Sequence, residues 1–352
     1  MSGVRRAILS GVSALLGILA IVAIALGALA TSAQASGATE QTVPASSTVF
    51  PEGDHDVVIG AYIDNIQSIN FETSSFTADF FIWMRWTNRD LHPDEHFEIM
   101  NSSDSWSTTI APLEVGPIEQ PDGTLYHSFH YQGAFNFKPN LQDFPFGGQN
   151  LPIVVEGTLN GEYGINFIPD STPLVVDPGL TLPGYKIGET TLTTSTFTYG
   201  TDFGEVGVGS TQDYSRTVID VPISNPVLAN IVKYFLPLFL IVITASLVFL
   251  IPSTMGEARI ALGITALLTM VAMEGSKANG LPIVDYLMLI DVLYILSYLF
   301  IVLTIFHSIA LTWAHRKLPE GIEAKNTMRF TWIYLAAYFV VTALTILLFV
   351  LI

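Results

Sequence analysis

The chain has 352 residues, half of them apolar, no cysteine and a formal net charge of −17. A disulfide framework is therefore excluded, and an acidic field of this kind repels nucleic acid. The apolar residues are gathered into blocks rather than spread at helical or strand spacing, which describes a membrane protein with a soluble part.

The first block, Ala7 to Ala30, follows Arg5 and Arg6 and ends in Ala33-Gln34-Ala35. A basic start, apolar middle and small-residue exit predict a signal peptide over 1–35; its length leaves an uncleaved anchor open. In both cases the chain beyond residue 35 is exported. From Ser36 to Pro222 it runs in short alternating segments such as Val57 to Ile63 and Phe80 to Trp86, separated by Gly, Pro, Asn and Asp clusters. That pattern predicts an all-β, immunoglobulin-like sandwich over 36–222. The same stretch holds 25 acidic residues against Arg85, Arg89, Lys138, Lys186 and Arg216. Such a field enriches cations, although a solubilising surface has the same composition.

Four apolar segments come next, at about 227–251, 258–278, 283–313 and 329–352. Each is long enough to cross ~30 Å of hydrocarbon, which predicts an all-α four-helix membrane domain over 223–352. The second segment carries Thr265, Thr269, Glu274, Ser276 and Lys277, so one of its faces suits water or partner helices better than lipid. His315, Arg316, Lys317, Lys325 and Arg329 between the third and fourth segments, and Arg259 between the first and second, place those loops in the cytoplasm and the sandwich outside.

Several motifs share one pattern. Phe144-Pro145-Phe146 with Gln149, Pro237, the run from Arg259 to Met270, Leu281-Pro282 with Tyr286 and Asp291, and Trp86 with Arg89 and Leu91 resemble the Cys-loop receptors, the pentameric ligand-gated ion channels. Phe137 and Leu151 stand where animal members carry their loop cysteines, which matches the cysteine-free bacterial branch. The resemblance implies a homopentamer in the inner cell membrane with a periplasmic or extracellular sandwich. Its partners are then the lipid bilayer, permeant inorganic ions and a small-molecule, proton or divalent-cation effector, without a cofactor.

On the second segment Ala261, Thr265, Leu268, Ala272, Ser276 and Asn279 share one stripe at helical spacing. Small-residue packing between helices gives a similar stripe, but with the family pattern it reads as a pore wall narrowed by a ring of Leu268 that closes by dewetting. Glu257 at the cytoplasmic mouth predicts cation selectivity. Ala258, which anion-selective relatives carry before the basic residue, keeps a chloride pore open as the alternative.

The family resemblance also implies an agonist cage between subunits. Here it draws on Phe81, Tyr163, Phe167, Tyr199, Phe203 and Tyr214, while Thr158 or Leu159 replaces the usual tryptophan. Asp202, Glu205 and Asp213 are oxygen-ligand candidates for a divalent cation. For coupling the resemblance points to Glu72, to Phe144, Pro145 and Phe146, and to Leu281 and Pro282. Gly147 and Asn225 replace the usual acid and arginine, so packing of Phe144 and Phe146 on the Leu281-Pro282 loop is expected to take over. No nucleophile-elbow or zinc-protease motif supports an enzyme. A membrane-anchored binding protein that conducts nothing is the reading from another class.

Overall fold

A computed structural model describes residues 50–103, 108–159, 164–204, 209–277, 280–315 and 320–351. The expected signal segment, Tyr163, Glu205 and Asn279 lie outside the described residues.

The exported part is a β-sandwich of eleven described strands. They are β1 Asp56–Asn70, β2 Ser75–Trp86, β3 Phe97–Ile99, β4 Thr109–Pro112, β5 Ile118–Glu119, β6 Leu125–Asn136, β7 Gln149–Gly157, β8 Asn166–Val176, β9 Lys186–Ile187, β10 Thr191–Tyr199 and β11 Gln212–Ser224. One sheet runs β4-β6-β2-β1-β8 with β5 on β6, and the other runs β10-β11-β7-β3 with β9 on β11. The β1–β8 pair is parallel; the others are antiparallel.

Strand β2 shows why the sequence folds this way. Phe76, Ala78, Phe80, Ile82, Met84 and Trp86 are buried, whereas the residues between them point outward. A period of two gives one face to the core and one to solvent or a partner. Phe137 and Leu151 both enter the hydrophobic core, so apolar burial stands at the two positions where the resemblance expects cysteines. Gly60 is required by close approach, because a Cβ there would lie 2.4 Å from Cζ2 of Trp83.

A second compact unit joins Asn140–Gly147 to the chain from Asn225 onward. It holds four apolar helices: α1 over Val227–Leu250, α2 Gly256–Lys277, α3 Leu289–His315 and α4 Glu320–Leu351. Their length and composition suit a bilayer crossing. The helix α1 is not uniform: a π-turn at Ile231–Phe235 precedes Leu236–Ser246, and a 3₁₀ turn at Leu247–Leu250 ends it. Pro237 explains the wide turn, since it lacks an N–H and its ring would strike the carbonyl four residues back. The third helix starts at Leu289 rather than near 283, and the Asp291 carboxylate accepts the Met288 N–H at 3.0 Å at its entry.

Candidate functional site

The polar helix α2 has a buried face and a wider exposed one, on which Ile264 and Val271 flank the polar stripe. Glu257, Ala261, Thr265, Leu268, Ala272 and Ser276 are all exposed along one stripe, whereas Arg259, Ala266 and Met270 are buried. Leu268 is 64 % exposed, the one large apolar side chain on that stripe. Arg259 is 2 % exposed and turned off the stripe. Its Nε and Nη2 donate to the carbonyl oxygen of Ile251 at 2.8 and 2.5 Å. Glu257 is therefore the only charged group on the stripe among the described residues.

The hydroxyls on this helix are also oriented. Thr265, Thr269 and Ser276 donate to the carbonyls of Ala261, Thr265 and Ala272 at 2.8, 2.8 and 3.1 Å. With each proton spent on the helix backbone, the oxygen lone pairs remain available outward. An acceptor-rich surface of this kind suits cations better than anions.

On the second sheet, Glu98, Met100, Glu156, Gly157, Thr158, Tyr199, Phe203 and Tyr214 line a cleft of about 330 Å³. Tyr199 stands edge-on to Phe203 at 5.2 Å and to Tyr214 at 5.6 Å. Glu156 is 3 % exposed. Its Oε1 accepts the Tyr199 hydroxyl at 2.9 Å and its Oε2 pairs with Arg216 at 2.6 Å. Burial first, and then the bond to Glu156, raise the Tyr199 phenol above its ordinary value. Arg216 also lies 3.5 Å over the Phe197 ring. Three of the sequence-predicted aromatics thus meet in one place, together with a buried acid and its counter-ion.

Two predicted cage residues are not in that cleft. Phe81 lies on the outer face of β2 in the other sheet, stacked 4.5 Å from His130 and 6.2 Å from Tyr62. Phe167 is a correction: it is 3 % exposed and belongs to the sandwich core, because the alternation of β8 turns it inward. Of the three metal candidates, Glu205 lies outside the described residues and the other two are engaged locally. Asp202 accepts the Gly204 N–H and Asp213 the Thr198 hydroxyl, and among the described residues no group of three His, Cys, Asp or Glu could hold a metal ion.

In the helical unit the Phe144-Pro145-Phe146 segment is fastened to the start of α1 and the entry of α3. Phe144 meets Tyr234 edge-on at 5.2 Å, and Phe146 lies 5.1 Å from Phe235. The carbonyl of Pro145 accepts the Asn225 and Asn230 amides at 3.3 and 2.5 Å. Tyr286 accepts the Leu141 N–H at 2.9 Å, and Gln142 accepts the Leu289 N–H at 2.8 Å. Both rings thus pack on the start of α1, at Tyr234 and Phe235. Leu281 and Pro282 are half-buried, and Glu72 is exposed in the turn between β1 and β2.

Sequence reasoning does not single out Glu156, Arg216, Asn230 and Tyr234. Glu156 carries a signal, as a lone acid in an apolar strand, and Arg216 another, as one of few cations in an acidic part. Asn230 and Tyr234 sit in an apolar run where nothing distinguishes them before the fold is known.

Known proteins resemble this chain over both parts. Residues 234–334 match the family described as the neurotransmitter-gated ion-channel transmembrane region. The pH-sensitive chloride channel 2 of Anopheles gambiae is 24% identical over 201 residues, 56% of this chain and 32% of that protein. The mouse gamma-aminobutyric acid receptor subunit theta is 23% identical over 70% of this chain and 40% of its own length. The bovine alpha-2 subunit of the same receptor is 22% identical over 70% of this chain and 57% of its own. The chain thus spans from about a third to a little over half of these relatives.

Proposed function

Because this chain is a multi-pass membrane member of the neurotransmitter-gated ion-channel family, with its sandwich outside the cell, we propose that it is one subunit of a pentameric ligand-gated channel that passes cations. The observation that carries this reading is the exposed face of α2. Its stripe from Glu257 to Ser276 holds an acid at one end, hydroxyl acceptors along its length and Leu268 as its large apolar residue, while Arg259 is turned away and bound to a carbonyl. Five such faces around an axis make a wet path with one apolar neck at Leu268. Five Glu257 carboxylates at the mouth lie within a Debye length of about 8 Å in physiological salt, so their potentials add and favour cations.

The effector site in this reading is the cleft of Tyr199, Phe203 and Tyr214, completed by Phe81 of a neighbouring copy. Aromatic faces there suit small ligands with cationic or polar edges. A chloride pore is the second reading, favoured by the chloride channel among the relatives. The test is the reversal potential of purified protein in a planar bilayer with a KCl gradient, recorded also for Leu268→Ser, which hydrates the neck and favours opening. Reversal near the potassium potential, moved toward zero by Glu257→Ala, is the expected result; reversal at the chloride potential overturns the cation reading.

A further inference from the structure

The second helix is attached to the third at three levels, and the attachments differ in kind. At the inner end a Cβ on Gly256 would come within 2.7 Å of Cγ2 of Thr312, and one turn-pair further a Cβ on Gly263 would come within 2.5 Å of Cγ1 of Ile305. Those two levels are backbone-to-side-chain packing without room to spare. Toward the outer end the contact is polar: the Tyr298 hydroxyl donates to Oε2 of Glu274 at 2.5 Å. Glu274 lies two residues from both Ala272 and Ser276, about 200° around the helix from each, so it sits opposite the exposed stripe. An ionisable residue at membrane depth is costly to keep and is held by a specific partner.

Resting on the pore reading above, we propose that the Tyr298–Glu274 hydrogen bond is a latch that draws the outer half of α2 back against α3 and so away from the pore axis. The stripe faces away from α3, hence a pull toward α3 at Glu274 retracts Ser276 and Ala272 from the axis. The close packing at Gly256 and Gly263 fixes the inner half and makes it the pivot. The latch is the one attachment of the three that a side chain can release by a rotamer change. Glu274 and Tyr298 are thus positioning residues for conduction and do not touch the permeating ion.

The chain has no cysteine, so a Ser276→Cys variant carries a single spin label per subunit. Label-to-label distances at the outer mouth are measured in lipid nanodiscs, alone and combined with Tyr298→Phe or Glu274→Leu. Basal current is measured in planar bilayers in a Leu268→Ser background with KCl on both sides. Each latch variant is expected to shorten and broaden the distances and to lower basal current on the order of tenfold, as loss of a hydrogen bond to a charged group predicts. The two together should do no more than either alone. Unchanged distances, or unchanged or increased current, overturn the latch. If Leu268→Ser carries no current at all, the channel reading fails while the distances still decide whether the latch exists.

Discussion

The side-chain amide of Asn225 donates to the carbonyl oxygen of Gly147 at 3.2 Å, and to that of Pro145 at 3.3 Å. In the receptors this chain resembles, these two positions carry an arginine and an acid. A neutral amide and a backbone carbonyl here tie the same two places together without a charge. Losing both charges costs little, whereas one partly buried charge left alone is expensive.

Asn225→Ala and Asn230→Ala should each destabilise the helical unit by about 1 kcal/mol, the usual net worth of a hydrogen bond. Gly147 has room for a side chain, since an added Cβ would meet its nearest neighbour, Cβ of Asp143, at 3.4 Å. Gly147→Asp alone should therefore fold but lose stability, and Asn225→Arg added to it should restore most of the loss. A double-mutant cycle on thermal unfolding in detergent measures the coupling; additive effects contradict the tie.

Asp143 belongs to the same segment, and burial raises its carboxyl above the ordinary carboxylate value. The folded state thus holds this proton to higher pH than the unfolded state. Stability from this group falls as pH rises through the carboxylate range and stays reduced above it. Asp143→Asn should raise the unfolding temperature at pH 7 and leave it unchanged well below that range. Equal gains at both pH values would show that the effect is not titration.

The Tyr199 hydroxyl stands between the Glu156 carboxylate at 2.9 Å and the Arg216 guanidinium at 3.0 Å. Tyr199→Phe removes a bond to each of two charged, largely buried groups and should cost about 1.5–3 kcal/mol by urea unfolding of the whole protein. Phe203→Ala, which removes an exposed ring from the same cleft, should leave stability within about 0.5 kcal/mol and alter the response to effectors instead. A stability loss at Phe203 as large as that at Tyr199 would make the cleft a structural cluster only.

Much of this organisation is legible in the sequence alone. The four helices announce themselves because uninterrupted apolar runs have few other solutions. The stripe from Ala261 to Ser276 follows from a fixed 3.6-residue period, and the burial of Ala266 and Met270 between its members obeys the same geometry. Phe167 is harder to place, because its family position suggests a loop aromatic while the alternation of its own strand turns it inward. Contacts between distant segments leave no trace in the pattern. Nothing in the sequence pairs Glu274 with Tyr298, Arg259 with the Ile251 carbonyl, or Phe144 with Tyr234. Each of those depends on which faces the helices present after packing, and periodicity fixes a face without naming its neighbour.

The proposed function depends most on α2 lining a conducting path, and the absence of native cysteine makes that claim directly measurable. Single cysteines are placed at Ala261, Thr265 and Leu268 on the exposed stripe and at Ala266 and Met270 on the buried face, then treated with a charged methanethiosulfonate during bilayer recording. A pore along the stripe predicts that modification at the first three alters or blocks the current and that the last two are untouched. Block at Ala266 or Met270 comparable to that at Thr265, or no effect at any stripe position in a conducting protein, would contradict it.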